Sequence, residues 1–262
     1  MVGKVRGRLD LRLGFSRMRI AVVSDVHGNL RAFDAVLKDL REVAPDLVVH
    51  GGDLAANGAH PNEIIDRIRA LGWPGVCGNT DEMLWVPERL AQMAVQYPKL
   101  ASIFRSFQEM VPRTQAEIGP ERLSWLQSLP RCHSVEDISV IHASPNDLWR
   151  APLEKASDTD LESTYETLGS PLVVYGHIHR PYIRELPGMK VANTGSVSLS
   201  YDGDPRASYL VVDGKDITLR RVDYDRESEA NDLLHSGLPH ANWLCRILLA
   251  GRYVAPDEPD SE

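Results

Sequence analysis

Five short apolar runs in this chain each close on aspartate, histidine or asparagine, and this repeated ending constrains the fold most. "RIAVVSD" leads into Asp25 and His27, and "DLVVHGGD" ends on Asp53. "WPGVCGN" ends on Asn79, "ISVIHAS" carries His142, and "PLVVYGHIH" ends on His177 and His179. Apolar runs of this length bounded by polar residues read as buried strands. In an open α/β sheet, ligands collect at the carboxyl ends of strands. The glycines at four of these endings let the backbone turn tightly and approach an ion.

What lies between the runs supports the same architecture. "NLRAFDAVLKDLREV" has helical periodicity, with Leu30, Phe33, Val36, Leu37 and Leu40 on one face. "PNEIIDRIRALG" is opened by proline and closed by Gly72. This βαβαβ start, with "WPGVCGN" as its third strand, predicts a largely parallel central sheet with right-handed crossovers. From Thr80 to about Leu129 the chain reads as a helix-rich insert, clearest in "PERLAQMAVQ" and "GPERLSWLQSLP". A weak helix, "DLESTYETLG", separates the last two metal-capable runs. "PYIRELPGMKVANTGSV", "SYLVVD" and "DITLRRVDYD" read as antiparallel strands joined by tight turns. A helix pair follows, at about 226–251, split at Gly237–Pro239.

No linker divides the chain, so one domain is expected over 19–252. Residues 1–18 read as a disordered extension or the product of a misassigned start, with Met18 as the alternative. The acidic, proline-containing tail 253–262 reads as disordered. The 262 residues, 43% of them hydrophobic, suffice for a substantial core. A net charge of −8 disfavours an extended nucleic-acid surface. No apolar run is long enough to span a bilayer, and the basic N-terminus has no signal-peptide core. Cys77, Cys132 and Cys245 share no metal or disulfide spacing and suggest free thiols in a reducing, cytoplasmic setting.

Each polar ending has a plain reading when taken singly. Asp25 or Asp53 is a helix or turn cap. Asn79 after glycine is a turn residue, and His142 is a core histidine. His177-x-His179 says more, because residues two apart on an extended strand face the same way. Taken together and in order, Asp25-Val26-His27, Gly52-Asp53, Gly78-Asn79, His142 and Gly176-His177-Ile178-His179 closely resemble the calcineurin-like metallophosphoesterase pattern. The resemblance spans about Arg19 to Ser196. "GNTD", "HASPNDLW" and "GHIHRP" look like its small bacterial and archaeal phosphodiesterase branch.

The resemblance implies an α/β fold, a four-layer α/β/β/α sandwich with two mixed β-sheets. It implies two divalent transition-metal ions (Mn, Fe, Ni, Co or Zn). Asp25, His27 and His179 hold one, Asn79, His142 and His177 hold the other, and Asp53 bridges them. The implied reaction is hydrolysis of a small phosphate-ester substrate by a metal-bridging hydroxide, with no protein nucleophile. Catalytic roles then fall to Asp53, Asn79 and His142. Gly28 and Asn29 offer backbone N–H groups to the site. Asn146, Trp149, Arg150 and Arg180 are candidate substrate contacts, and Asn193 orients ligands from behind.

The chain departs from the family at Thr80, where many members carry a histidine that assists the leaving group. Threonine is a poor acid at neutral pH. Asp81 is the substitute acid if burial raises its pKa, or else a cap on the following helix. The departure favours good leaving groups and points toward phosphodiesters. Phosphomonoesters, proteins among them, and dinucleoside polyphosphates stay open as substrates, as does a homo-oligomer. A catalytically weak interaction scaffold on the same fold is the non-enzyme alternative, opposed by the presence of all seven expected ligands.

Overall fold

The protein is described here by a computed structural model covering residues 18–256. Residues 1–17 of the expected extension and 257–262 of the expected tail lie outside the described residues. Met18 packs against the core between the sheets, and Val254 accepts a hydrogen bond from the Trp243 indole at 2.7 Å.

Strand β1 (Arg19–Val23) is buried on both faces after its first residue, as its unbroken apolar sequence requires. Helix α1 (Leu30–Val43) begins at Asn29, whose side chain caps Ala32 N–H, and buries Ala32, Phe33, Val36 and Leu40. Strand β2 (Leu47–His50) returns parallel to β1, pairing Val22 with Val49. Helix α2 (Pro61–Leu71) starts on its proline and stops at Gly72 in the left-handed conformation.

The third expected strand does not form. "WPGVCGN" makes a single parallel bridge, His50 to Gly75, and then Val76 N–H bonds to His50 O. The run turns directly into a short helix, α3 (Asn79–Glu82). Gly75 lies so close under the His50 ring that a β-carbon there would collide with it.

The insert comprises α4 (Glu88–Gln96) and α5 (Ala101–Gln127). Helix α5 is kinked at Gly119, where φ is 69° and ψ is 175°, just before Pro120. Strand β3 (Cys132–Val135), which the sequence reading passed over, pairs antiparallel with β4 (Ile138–Ile141). Its four residues carry only one strongly apolar side chain, so no run announced it. Helix α6 (Asp158–Tyr165) leads to β5 (Leu172–Tyr175), which is parallel to β4.

Strands β6 (Tyr182–Leu186) and β7 (Met189–Asn193) form a hairpin, and β7 lies parallel to β5. Strands β8 (Ala207–Asp213) and β9 (Asp216–Val222) form a second hairpin, with β8 antiparallel to β1. Helices α7 (Arg226–His235) and α8 (Ala241–Ala250) close the described chain.

Among the described residues the strands make two mixed sheets, β2-β1-β8-β9 and β3-β4-β5-β7-β6. The expectation of a largely parallel first sheet is corrected, because β8 and β9 complete it antiparallel. Alternation along each strand sorts the core into layers. Ile20, Val22 and Val212 meet Val140, Val174 and Ala192 between the sheets. Ala21 and Val23 face α1 and α2 on one outer side. Val173 and Tyr175 face Leu161 and Tyr165 of α6 on the other. The α/β/β/α order of layers follows. No helix among the described residues is long and apolar enough to cross a membrane.

Candidate metal centre

The polar residues that end β1, β2, β4 and β5 meet at one edge of the two sheets. Asp25, His27, Asp53 and His179 are buried, and their ligand atoms all lie within 4.8 Å of one another. His179 Nε2 is 3.1 Å from Asp25 Oδ1 and 3.3 Å from His27 Nε2. Beside this group, Asn79 Oδ1 stands 2.8 Å from both His142 Nε2 and His177 Nδ1. Asp53 Oδ2 reaches both groups, at 3.7 Å from His27 Nε2 and 3.5 Å from His142 Nε2.

Backbone carbonyls set the orientation of three imidazoles. His27 Nδ1 faces Ala56 O at 3.0 Å, His142 Nδ1 faces Gly51 O at 2.8 Å, and His179 Nδ1 faces Leu199 O at 2.5 Å. A carbonyl only accepts, so each Nδ1 carries the proton and each Nε2 turns a lone pair inward. Those lone pairs converge on one another, on two carboxylates and on the Asn79 amide oxygen. The backbone N–H groups of His177 and Thr80 and the Ser24 hydroxyl donate to the two carboxylates. Converging donor atoms of this kind fit a divalent cation, and the carbonyls are the outer partners that metal-binding histidines ordinarily have.

The backbone is strained to achieve this. Asp25, His27, Asp53, His177 and His179 all have φ between 47° and 66°. They are five of the nine non-glycine residues with positive φ among the described residues. Asp and His enter this region more readily than most, yet each still costs on the order of 1–3 kcal/mol. The finding also revises how the His177–His179 pair works. The two residues follow β5 rather than extend it, and the left-handed turns send His179 toward Asp25 and His177 toward Asn79.

Electrostatics match this placement. Burial alone would raise the Asp25 carboxyl, but neighbouring His179, with His142 and His27, holds it well below the usual range. Burial pushes His27 down, and burial together with His142 pushes His177 down to about 4. Burial acts to lower His142 too, yet Asp53 and Asp25 outweigh it and raise that imidazole. A cation in the centre of the group would take over the role of those protons.

The glycines serve close approach. A β-carbon on Gly78 would strike the Asp53 carboxylate, and one on Gly176 would strike Ser24 Oγ and Asp25 Oδ2. Ser24 donates to Asp25 Oδ2 at 2.6 Å, so it braces a carboxylate. Asn193 joins the neighbouring loop, donating to Gly176 O at 2.6 Å and accepting from Gly195 N–H at 2.9 Å.

Four expected contributors sit elsewhere. Asp81 accepts from Asp53 N–H at 2.9 Å, Gly78 N–H at 3.0 Å and Leu54 N–H at 3.0 Å, and is fully buried. Burial and Asp53 push it up to about 6, but it faces backbone rather than a substrate. Of the two readings of Asp81, the geometry fits the cap. Gly28 N–H bonds to Leu54 O and Asn29 N–H to Val26 O, so neither is free for a phosphate. Asn146 lies in the turn bracketed by Ser144 and Asp147 and does not reach the site.

Above the cluster opens a pocket of about 490 Å³, within the ~300–1,000 Å³ typical of small-molecule sites. Thr80, Trp149, Arg150 and Arg180 line it, as the sequence suggested. Trp149 is held by its indole N–H, which donates to Glu82 at 2.8 Å. Arg180 pairs with Glu154 at 2.9 Å, and Arg150 lies 5.0 Å over the Tyr97 ring. The Thr80 hydroxyl and the Asn57 amide oxygen line the floor, buried without a hydrogen-bond partner. Sequence reasoning missed Asn57, Tyr97, Tyr201 and Tyr253, all of which line the pocket. Nothing local marks them, since only the fold brings the insert and the C-terminal segment over the metal-capable residues.

A buried Asp/His cluster at strand ends, open to a ligand-sized pocket, is the layout of a metal-dependent hydrolase. The model of the calcineurin-like phosphoesterase superfamily domain matches residues 18–217, and the chain belongs to that superfamily, a family of phosphoesterases. The uncharacterised protein MJ0912 of Methanocaldococcus jannaschii is 30% identical over 256 residues, covering 89% of this chain and 98% of that one. The crystal structure of a metallophosphoesterase from Sphaerobacter thermophilus is 27% identical with a TM-score of 0.73, covering 90% of this chain and 100% of that one. The hypothetical protein PH1004 from Pyrococcus horikoshii OT3 shares the fold, with a TM-score of 0.77, 16% identity, and coverage of 90% and 99%.

Proposed function

We propose that this chain hydrolyses phosphate esters, diesters in preference to monoesters, at a centre for two divalent transition-metal ions. Asp25, His27 and His179 hold one ion, Asn79, His142 and His177 hold the other, and Asp53 serves both. The observation that carries this reading is Asp53 Oδ2, which lies 3.7 Å from His27 Nε2 and 3.5 Å from His142 Nε2. One carboxylate between two sets of inward lone pairs suits a shared ligand. Mixed nitrogen and oxygen donors suit Mn, Fe, Co, Ni or Zn better than Ca. Bound there, the ions supply Lewis acidity and acidify a water for attack on phosphorus.

The chain's own groups do the rest. Thr80 turns an unpartnered hydroxyl to the pocket floor and donates a hydrogen bond to a substrate oxygen. As a poor acid it leaves an alcohol with little help, which favours esters that depart as stable anions. Arg150 and Arg180 bring positive charge to the pocket wall. Ser24 and Ser144 are not nucleophiles in this reading, since they donate to Asp25 and to Asp147 O. Three free thiols suit a reducing, cytoplasmic setting.

The test starts from metal-stripped protein, reloaded with Mn, Ni, Co, Zn or Mg and assayed on aryl mono- and diesters. Turnover should return with first-row metals and favour diesters. Asp53→Asn should lose activity and metal together. Full activity of that variant with two ions bound would remove the shared-ligand role. Absence of turnover with every metal and ester would leave a scaffold on the same fold.

A further inference from the structure

The pocket has two unlike ends. Its floor is made of Asp53, Asn79, His27, His177 and His179. Its walls are built from other elements and have the opposite chemistry. Phe104 and Phe107 come from α5, Trp243 and Ile247 from α8, Leu153 from the loop after β4, and Tyr253 follows α8. Phe104, Trp243 and Ile247 also belong to the core, and Tyr253 packs on Tyr201, which stacks on His179. The cavity they enclose above the floor is lined largely by apolar side chains.

Apolar side chains facing an open cavity gain when an apolar group displaces the water. Leu153 and Tyr253, which line the pocket, are 59% and 42% exposed. Asp53, at the floor, is the only carboxylate among the described residues lining this pocket. The wall's charged groups are Arg150, over the Tyr97 ring, and Arg180, paired with Glu154, and its tyrosines add hydroxyls. The Tyr97 hydroxyl is buried and unpartnered. A nucleobase carries hydrogen-bonding edges around its ring, and a peptide carries them at every residue. This wall could satisfy few of either.

Resting on the phosphoesterase reading of the floor, we propose that the substrate is a phosphate ester with a bulky apolar organic group, alkyl or aryl. The phosphate sits at the metal-capable floor and the apolar group sits between α5 and α8. The Tyr97 hydroxyl meets a single polar atom on that group.

Binding of phosphonates to Mn-loaded full-length protein, followed by calorimetry, tests this without needing turnover. The probes are methyl-, butyl-, octyl- and naphthylphosphonate, with adenosine 5′-monophosphate as the nucleotide arm. Each fully buried methylene is worth up to about fourfold in affinity. The dissociation constant should therefore fall at least about tenfold from methyl to octyl. Leu153→Glu and Tyr253→Asp change partly exposed positions, so the fold should survive, and both should flatten the series. Tighter binding of the naphthyl than the octyl probe would assign an aryl group, and the reverse an alkyl chain. A flat series in the native protein, or the nucleotide binding more tightly than both, overturns the proposal. Parallel assays on p-nitrophenyl alkyl phosphodiesters separate the two readings. Turnover with a flat series removes the apolar-group assignment alone, and a steep series without turnover removes the phosphoesterase reading alone.

Discussion

Replacing Asp81 removes one carboxylate that accepts three backbone N–H groups, from Asp53, Leu54 and Gly78. In Asp81→Ala all three are left unpaired in a site that is fully buried. A buried donor without a partner costs about 1–3 kcal/mol, so three give roughly 3–9 kcal/mol before local rearrangement. Asp81→Asn behaves differently. Its oxygen can keep Asp53 and Gly78, which share Oδ2, while its NH₂ faces the Leu54 N–H. One bond is lost and two donors meet, for about 1–3 kcal/mol.

In a chain of this size each kcal/mol moves the melting temperature by about 2–4 °C. The asparagine variant should therefore melt several degrees lower and the alanine variant lower still, measured on metal-free protein. Metal affinity should fall in parallel, because two of the three N–H groups belong to Asp53 and to Gly78 beside Asn79. Excess metal should restore much of the rate in Asp81→Asn. The opposite pattern would refute this reasoning. Unchanged melting and metal affinity, with kcat down a hundredfold and one limb of the pH–rate profile gone, would make Asp81 a general acid.

Gly176→Ala should weaken metal binding by about tenfold or more in a Mn titration, because overpacking of ~1–3 kcal/mol falls on Asp25 and Ser24; unchanged affinity would refute the close-approach role. Thr80→His should raise rates most for esters with poor alcohol leaving groups, read from the leaving-group dependence of kcat/KM, and an unchanged slope counts against the account of Thr80. His50 is buried with both ring nitrogens unpartnered, and burial with nearby His133 pushes it down to about 3. The unfolded chain protonates it near pH 6.5, so its stabilising contribution is full above that pH and is lost as the pH falls toward 3. His50→Leu should shrink the fall in urea-unfolding stability between pH 7 and pH 5 by about 2 kcal/mol; an identical fall in both proteins would exclude His50 as its source.

The sequence by itself determined the strand ends and their chemistry. β1, β2, β4 and β5 are mainly apolar runs that read as buried strands with polar endings, and only the packing of the two sheets brings those endings together. Asn29, Pro61 and Gly72 marked helix limits through capping chemistry that operates within a few residues. Tertiary structure decided what depends on distant partners. "WPGVCGN" had strand composition but made only one bridge, to His50 at the outer edge of β2, before the chain turned into α3. β3 formed because β4 offered an edge, despite its own polar sequence. The partners of Asp81, three N–H groups from β2's loop and Gly78, came only with the fold. The apolar walls were legible only as helix faces. Periodicity shows that such a face must be covered, and only the packing of α5 and α8 over the strand ends opens the pocket between them.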